Sequence, residues 1–166
     1  MTSLTFYGGI GNIGGNIVLL ETENSRILLD FGKDFTEEGR FFSEYLKPRK
    51  AHGMEDFIEL GFLPDLKGVY RRDYLNHLGR ETAEEASIDA LFLSHAHVDH
   101  IGYVHFLRSD IPIYCTPTTE KIMKVRQETA SMSFNEYYRK NRSFYLRKKS
   151  RKEEYTRLTK RDRHYD

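Results

Sequence analysis

The residues best able to do chemistry lie in one heptapeptide, Ser94-His95-Ala96-His97-Val98-Asp99-His100. Three imidazoles and a carboxylate within six positions supply the nitrogen and oxygen donors that suit zinc, and manganese or iron less well. The elements that must position them can be read on either side. Ile88-Asp89-Ala90-Leu91-Phe92-Leu93 is a short apolar run and predicts a buried strand. With the backbone extended past that strand, His95 and His97 project to one side, because side chains two apart share a face. Asp99, followed by His100-Ile101-Gly102, predicts a helix start with Asp99 at or near the N-cap, which turns Asp99 and His100 toward a second point nearby. The stretch reads as half of a two-metal site, with His95, His97, Asp99 and His100 as candidate ligands.

One histidine in a polar loop would carry little weight, since most such residues are structural or surface residues. Four donors placed just after a buried strand are a pattern, and HAHVDH resembles the H-x-H-x-D-H signature of the metallo-β-lactamase superfamily. The signature marks the superfamily, not one of its reactions.

The chain has 166 residues, about one domain, with 39% hydrophobic and 31% charged residues. No apolar run approaches the roughly 20 residues that span a bilayer, and the first residues lack a basic segment followed by an apolar core, so a cytoplasmic protein without a membrane partner is expected. The single Cys115 lies in the apolar run Ile111-Pro112-Ile113-Tyr114-Cys115 and reads as a core thiol. Charge is unevenly placed: residues 139–166 carry 12 Lys and Arg against 4 Asp and Glu, while the first 138 carry 14 against 21. That basic run, RKNRSFYLRKKSRKEEY and onward, reads as a helical tail over about 139–166, either a footprint for a polyanion or a solvated face.

In chain order, Leu4–Tyr7 predicts a strand, followed by the glycine-rich Gly8–Gly15. A phosphate cradle would need a helix after the glycines; Asn16-Ile17-Val18-Leu19-Leu20-Glu21 continues as a strand, so a turn between strands is expected. A turn at Glu23-Asn24-Ser25 and a strand over Arg26–Asp30 complete an antiparallel meander. Asp30 ends that strand, either as a terminator or as a residue that orients metal ligands by hydrogen bonding. From Phe31 to Ala86 no sustained period is visible; its aromatics read as a satellite core or a stacking platform, and Ser43 with Lys47-Pro48-Arg49-Lys50 as a substrate path or a solvated face. His52, His77 and His105 lack ligand spacing. The segment Tyr103–Arg108 is expected to continue the short helix, and Thr116-Pro117 to cap another that runs on from Thr118. The sum is an α/β (α+β) domain with a mixed or largely antiparallel sheet.

FYGG-x-G-x-IGGN, LLDFG, LFLSHAHVDHIGY, IPIYC and T-x-x-T, over residues 1 to about 125, resemble the N-terminal part of ribonuclease J-like, β-CASP-type members of that superfamily. The resemblance implies an αββα sandwich, of which this chain supplies the N-terminal half, and hydrolysis of RNA phosphodiester bonds by hydroxide held between two zinc ions, with manganese as the alternative. It assigns His95 and His97 to one metal, Asp99 and His100 to the other, and catalytic roles to Asp99 and to Asp30, the latter as support for the loop. The family's later histidines and bridging aspartate have no match here, and His164 is the single late histidine. The missing half is then expected from a longer chain, a second polypeptide or a homo-oligomer. Two alternatives are a metallohydrolase of a small ester or thioester, which shares the motif, and a non-catalytic module that binds nucleic acid or a partner through its tail.

Overall fold

A computed structural model describes residues 1–42, 46–49 and 52–129, together with the backbone of four short strands between 140 and 162. Ser43, Lys50 and His164, named above, lie outside the described residues.

Five strands make the sheet: β1 (Ser3–Gly8), β2 (Ile17–Glu21), β3 (Arg26–Leu29), β4 (Ala90–Phe92) and β5 (Ile113–Tyr114), side by side in that order. The first three form the expected antiparallel meander, and β3, β4 and β5 run parallel, giving a mixed sheet. The β2–β3 turn is closed by Thr22, whose hydroxyl accepts from the Ser25 backbone N–H at 3.0 Å. The connection from β3 to β4 contains three short helices, α1 (Phe35–Phe41), α2 (Glu55–Glu59) and α3 (Arg72–His77). Asp34 caps α1, its Oδ1 accepting from Glu37 N at 2.9 Å.

The strands alternate, and the alternation sorts their side chains. Ile17, Leu19, Leu28, Leu91 and Ile113 face the helices and are at most 2% exposed. They share one core with Phe57, Leu63, Tyr74, Val104 and Phe106. Phe57 and Tyr74 of the long connection are thus part of the main core: Phe57 lies 4.9 Å from Phe106 and Tyr74 5.7 Å from it, ring centre to ring centre. On the opposite face the register aligns Phe6, Val18, Leu29, Phe92 and Tyr114 in one row across all five strands. That row is apolar yet open, with Phe6 52% and Phe92 43% exposed, and no described residue forms a second layer over it. One sheet with helices on one face is an αβ half of a sandwich.

After β4 come α4 (Val98–Ile101) and a 3₁₀ turn over Val104–Phe106, so the expected continuous helix is divided at Gly102. A Cβ at Gly102 would stand 2.5 Å from both the Val98 carbonyl oxygen and Lys33 Cβ, which explains a residue without one. Beyond β5, α5 (Pro117–Thr129) begins as expected, with Thr116 Oγ1 accepting from Thr119 N at 3.2 Å and proline in the first helical position.

The helical tail is a correction. The described residues after 139 are strands: β6 (Lys140–Arg142) pairs with β9 (Lys160–Asp162), and β7 (Leu146–Lys149) with β8 (Lys152–Tyr155). The β7–β8 register sets Arg147 opposite Glu154 and Lys148 opposite Glu153, residue types of opposite charge that favour cross-strand pairing. A helical reading weighs neighbours three and four apart and is blind to that pattern. No described helix is long and apolar enough to cross a membrane.

Candidate metal centre

The heptapeptide leaves the end of β4 and is still extended when it reaches His97, whose ψ of 150° starts α4. His97, not Asp99, is the N-cap residue; its carbonyl accepts from His100 N and Ile101 N, both at 3.0 Å. Asp99 falls inside the first turn, where a carboxylate also meets the positive end of the helix. The rings of His95 and His97 lie 4.6 Å apart, centre to centre, and those of His95 and His100 4.0 Å apart. All three imidazoles are therefore brought together.

Two backbone segments grip the second half of the motif. Residues 30–33 run beside it, with Phe31 N donating to His100 O at 2.8 Å and Lys33 N to Val98 O at 3.1 Å. The end of the glycine-rich turn lies on the other side: Asn16 N donates to Asp99 O at 3.1 Å, and Asn16 Nδ2 to the same oxygen at 3.3 Å. Gly32 N donates to Asn16 O at 3.0 Å and ties the two segments together. The approach is close enough to exclude side chains. A Cβ on Gly32 would lie 1.6 Å from Asp99 O, and one on Gly14, at φ 101°, would meet Asp99 Cβ at 3.2 Å. The glycine-rich stretch thus serves as a turn that packs on the motif, not as a phosphate cradle followed by a helix.

Asp30 leaves β3 in a left-handed conformation, φ 57°, which few residues other than glycine adopt. Its strand-end position is bound at once: Asp30 N donates to Phe92 O at 2.9 Å, and Oδ1 accepts from Ser94 N at 2.8 Å. Oδ2 lies 2.8 Å from Ser94 Oγ and 2.7 Å from His100 Nδ1. Asp30 is therefore more than a strand terminator, since its carboxylate holds both ends of the motif. Sequence reasoning passed over Asn16 and Gly32 in this role. The available signal was a set of small residues, Gly14, Gly15 and Gly32, beside an amide side chain.

The fit to a cation is partial and can be measured. Nε2 of His100 and Oδ2 of Asp99 stand 3.4 Å apart. That is long for a charge-assisted hydrogen bond, which runs about 2.7–2.9 Å. It matches two ligands of one ion, since bonds of about 2.1 Å at a tetrahedral angle separate the donors by about 3.4 Å. Among the described residues, however, no three His, Cys, Asp or Glu side chains stand together as the shell of one ion. Away from the centre, Glu38 is buried and holds both Lys33 Nζ and the Tyr103 hydroxyl. Burial, then Glu38, push the Tyr103 hydroxyl far above the usual tyrosine range. His105 is buried in the core against Phe106, apart from the motif. Cys115 packs against the core, and burial raises its thiol above the usual cysteine value.

Comparison with known proteins places the chain in a family. The family model for the β-lactamase superfamily domain matches residues 64–143, which include the whole heptapeptide. The chain belongs to the metallo-β-lactamase superfamily. Within it, the chain is 32% identical over 116 residues to ribonuclease J of Helicobacter pylori, covering 69% of this chain and 13% of that protein. It is 28% identical over 129 residues to the transcription termination factor FttA of Thermococcus kodakarensis, covering 75% of this chain and 16% of that protein. A crystal structure of a protein of unknown function from Enterococcus faecalis superposes with a TM-score of 0.54 at 26% identity, covering 81% of this chain and 31% of that one. The chain spans about one seventh of the length of these curated relatives.

Proposed function

We propose that this chain supplies one half of the metal centre of a ribonuclease that hydrolyses RNA phosphodiester bonds. The observation that carries the proposal is the donor pair His100 Nε2 and Asp99 Oδ2, 3.4 Å apart, with His100 held from behind by Asp30. Asp99 and His100 would hold one divalent cation, zinc in first place and manganese in second, and His95 with His97 another. When bound, such ions activate water and offset charge on the scissile phosphate. The part played by this chain's residues is orientation. Asp30 fixes the ring of His100, and Asn16 fixes the backbone of Asp99. The remaining ligands, and the layer over the open sheet face, would come from a longer chain, a second polypeptide or a second copy. The printed names of the relatives, ribonuclease J and a transcription termination factor, support an RNA partner. So does the basic balance of residues 139–166. The setting would be cytoplasmic.

The test uses the untagged chain, stripped of metal and reloaded with zinc or manganese, beside His97→Ala. Metal per chain and binding of a labelled single-stranded RNA at several salt concentrations are measured. Bound metal that falls in the variant, with RNA affinity declining steeply as salt rises, is the expected result. Equal metal content in both proteins would overturn the centre. RNA binding that ignores salt would overturn the substrate and leave an ester or thioester as the better reading, because only phosphate contacts release many counterions.

A further inference from the structure

Two strand ladders run through the basic segment, and their register sorts its charges. β6 pairs with β9 and β7 with β8, each pair a two-stranded sheet of its own. At three register positions an acidic residue stands opposite a basic one: Asp162 opposite Lys140, Glu154 opposite Arg147 and Glu153 opposite Lys148. These are all the Asp and Glu residues of the four strands, so every acidic position in the ladders is matched. At two further positions both partners are basic, Arg142 opposite Lys160 and Lys149 opposite Lys152. Directly opposed residues on antiparallel strands have Cβ atoms about 5 Å apart, and like charges there oppose the pairing. An anion placed between the two members reverses the sign, because it is attracted by both charges at once. Elsewhere the balance is contrary: the first 138 residues carry 14 Lys and Arg against 21 Asp and Glu. A polyanion is therefore drawn to the ladders and not to the rest of the chain as a whole.

We infer that these ladders are the element with which the chain holds RNA, the Arg142–Lys160 and Lys149–Lys152 pairs each receiving a phosphate of one strand. Arg142 and Lys149 are seven positions apart, at most about 25 Å of chain, so a single strand reaches both pairs. That the polyanion is RNA rests on the proposed function; the charge pattern itself asks for a chain of phosphates. A basic residue opposite an acidic one is locally neutral and contributes little, so position in the register, and not charge count, selects the residues that matter.

The experiment measures how the affinity of the full chain for a labelled polyuridine RNA depends on salt, in protein freed of metal so that binding is read apart from cleavage. Log affinity falls with log salt by about 0.7 for each phosphate contact on a single strand. Lys149→Gln with Lys152→Gln is expected to make that slope shallower by about 1.4, and Arg142→Gln with Lys160→Gln to do the same. Arg147→Gln with Lys148→Gln removes the same charge from matched positions and is expected to change the slope by less than about half as much. Equal changes in all three double variants, or no change in the first two, would overturn the inference. The first two variants relieve like-charge pairs, so loss of the ladders is not expected in them. Should the third lose its ladder, Glu153→Gln with Glu154→Gln keeps every basic residue and is expected to steepen the slope by about 1.4. An unmoved slope there counts against the inference too, as does binding to anionic phospholipid vesicles with none to RNA. Salt-sensitive RNA binding that is equal in every variant sinks this inference alone. The expected pattern in a chain that holds no zinc sinks the metal centre alone.

Discussion

The two halves of the heptapeptide are built differently. Val98, Asp99 and His100 are held by backbone bonds from Lys33, Asn16 and Phe31 in turn, and His100 also by the carboxylate of Asp30. His97 is exposed, and among the described residues its ring contact is with His95. One half is held by bonds from two other segments; the other is placed mainly by where its strand ends. The difference teaches that sequence spacing brings donors together, while non-local backbone contacts decide which of them are pre-organised.

Substitutions that erase this difference should have the largest effect. Gly32→Ala would drive a methyl group into the Asp99 carbonyl oxygen, a backbone atom that cannot swing aside. Denaturant titration should show a loss of about 3 kcal/mol or more, at the upper end of overpacking effects, with the clamped half disordered. Asp30→Asn comes next. Asparagine tolerates the left-handed backbone, so the turn should survive, but its amide has one accepting oxygen, so either Ser94 N or the pair Ser94 Oγ and His100 Nδ1 would face an NH₂ instead. A stability loss of about 1–3 kcal/mol is expected in metal-free protein. Asp30→Gly sharpens the point: it relieves φ and removes the carboxylate, so it should lose metal retention while keeping the turn, as read by zinc titration against melting temperature. The smallest effect on stability belongs to the loose half. His97→Ala should change the unfolding free energy by less than about 0.5 kcal/mol, as usual for surface positions, and still reduce bound metal. A large drop in stability for His97→Ala would remove the distinction between the halves.

Much of this was legible in the sequence because it is local. The first three strands, the strand before the motif, the Thr116-Pro117 start of α5 and the nearness of the His95, His97 and His100 rings all follow from period, turn chemistry or spacing. Asp30 could be placed at a strand end, with its function left open between two readings. The partnership of Asn16 with His100, 84 positions away, has no periodic signature, and an asparagine at the start of a strand gives no sign of it. Gly32 carries the same lesson: the residue that explains it, Asp99, is distant in sequence and touches it through backbone alone. The long connection after Phe31 hid its helices because α1, α2 and α3 have seven, five and six residues, too few turns for a period to show. The tail was misread because residue types that suit a solvated helix also suit a charged hairpin, and partner and register decide between them.

The open row from Phe6 to Tyr114 also bears on any measurement of this chain's stability. Whatever covers that face binds the folded sheet and not the unfolded chain, so by mass action it shifts the folding equilibrium toward the folded state. A melting temperature for this chain should then rise with protein concentration where copies meet face to face, and with any molecule that covers the row.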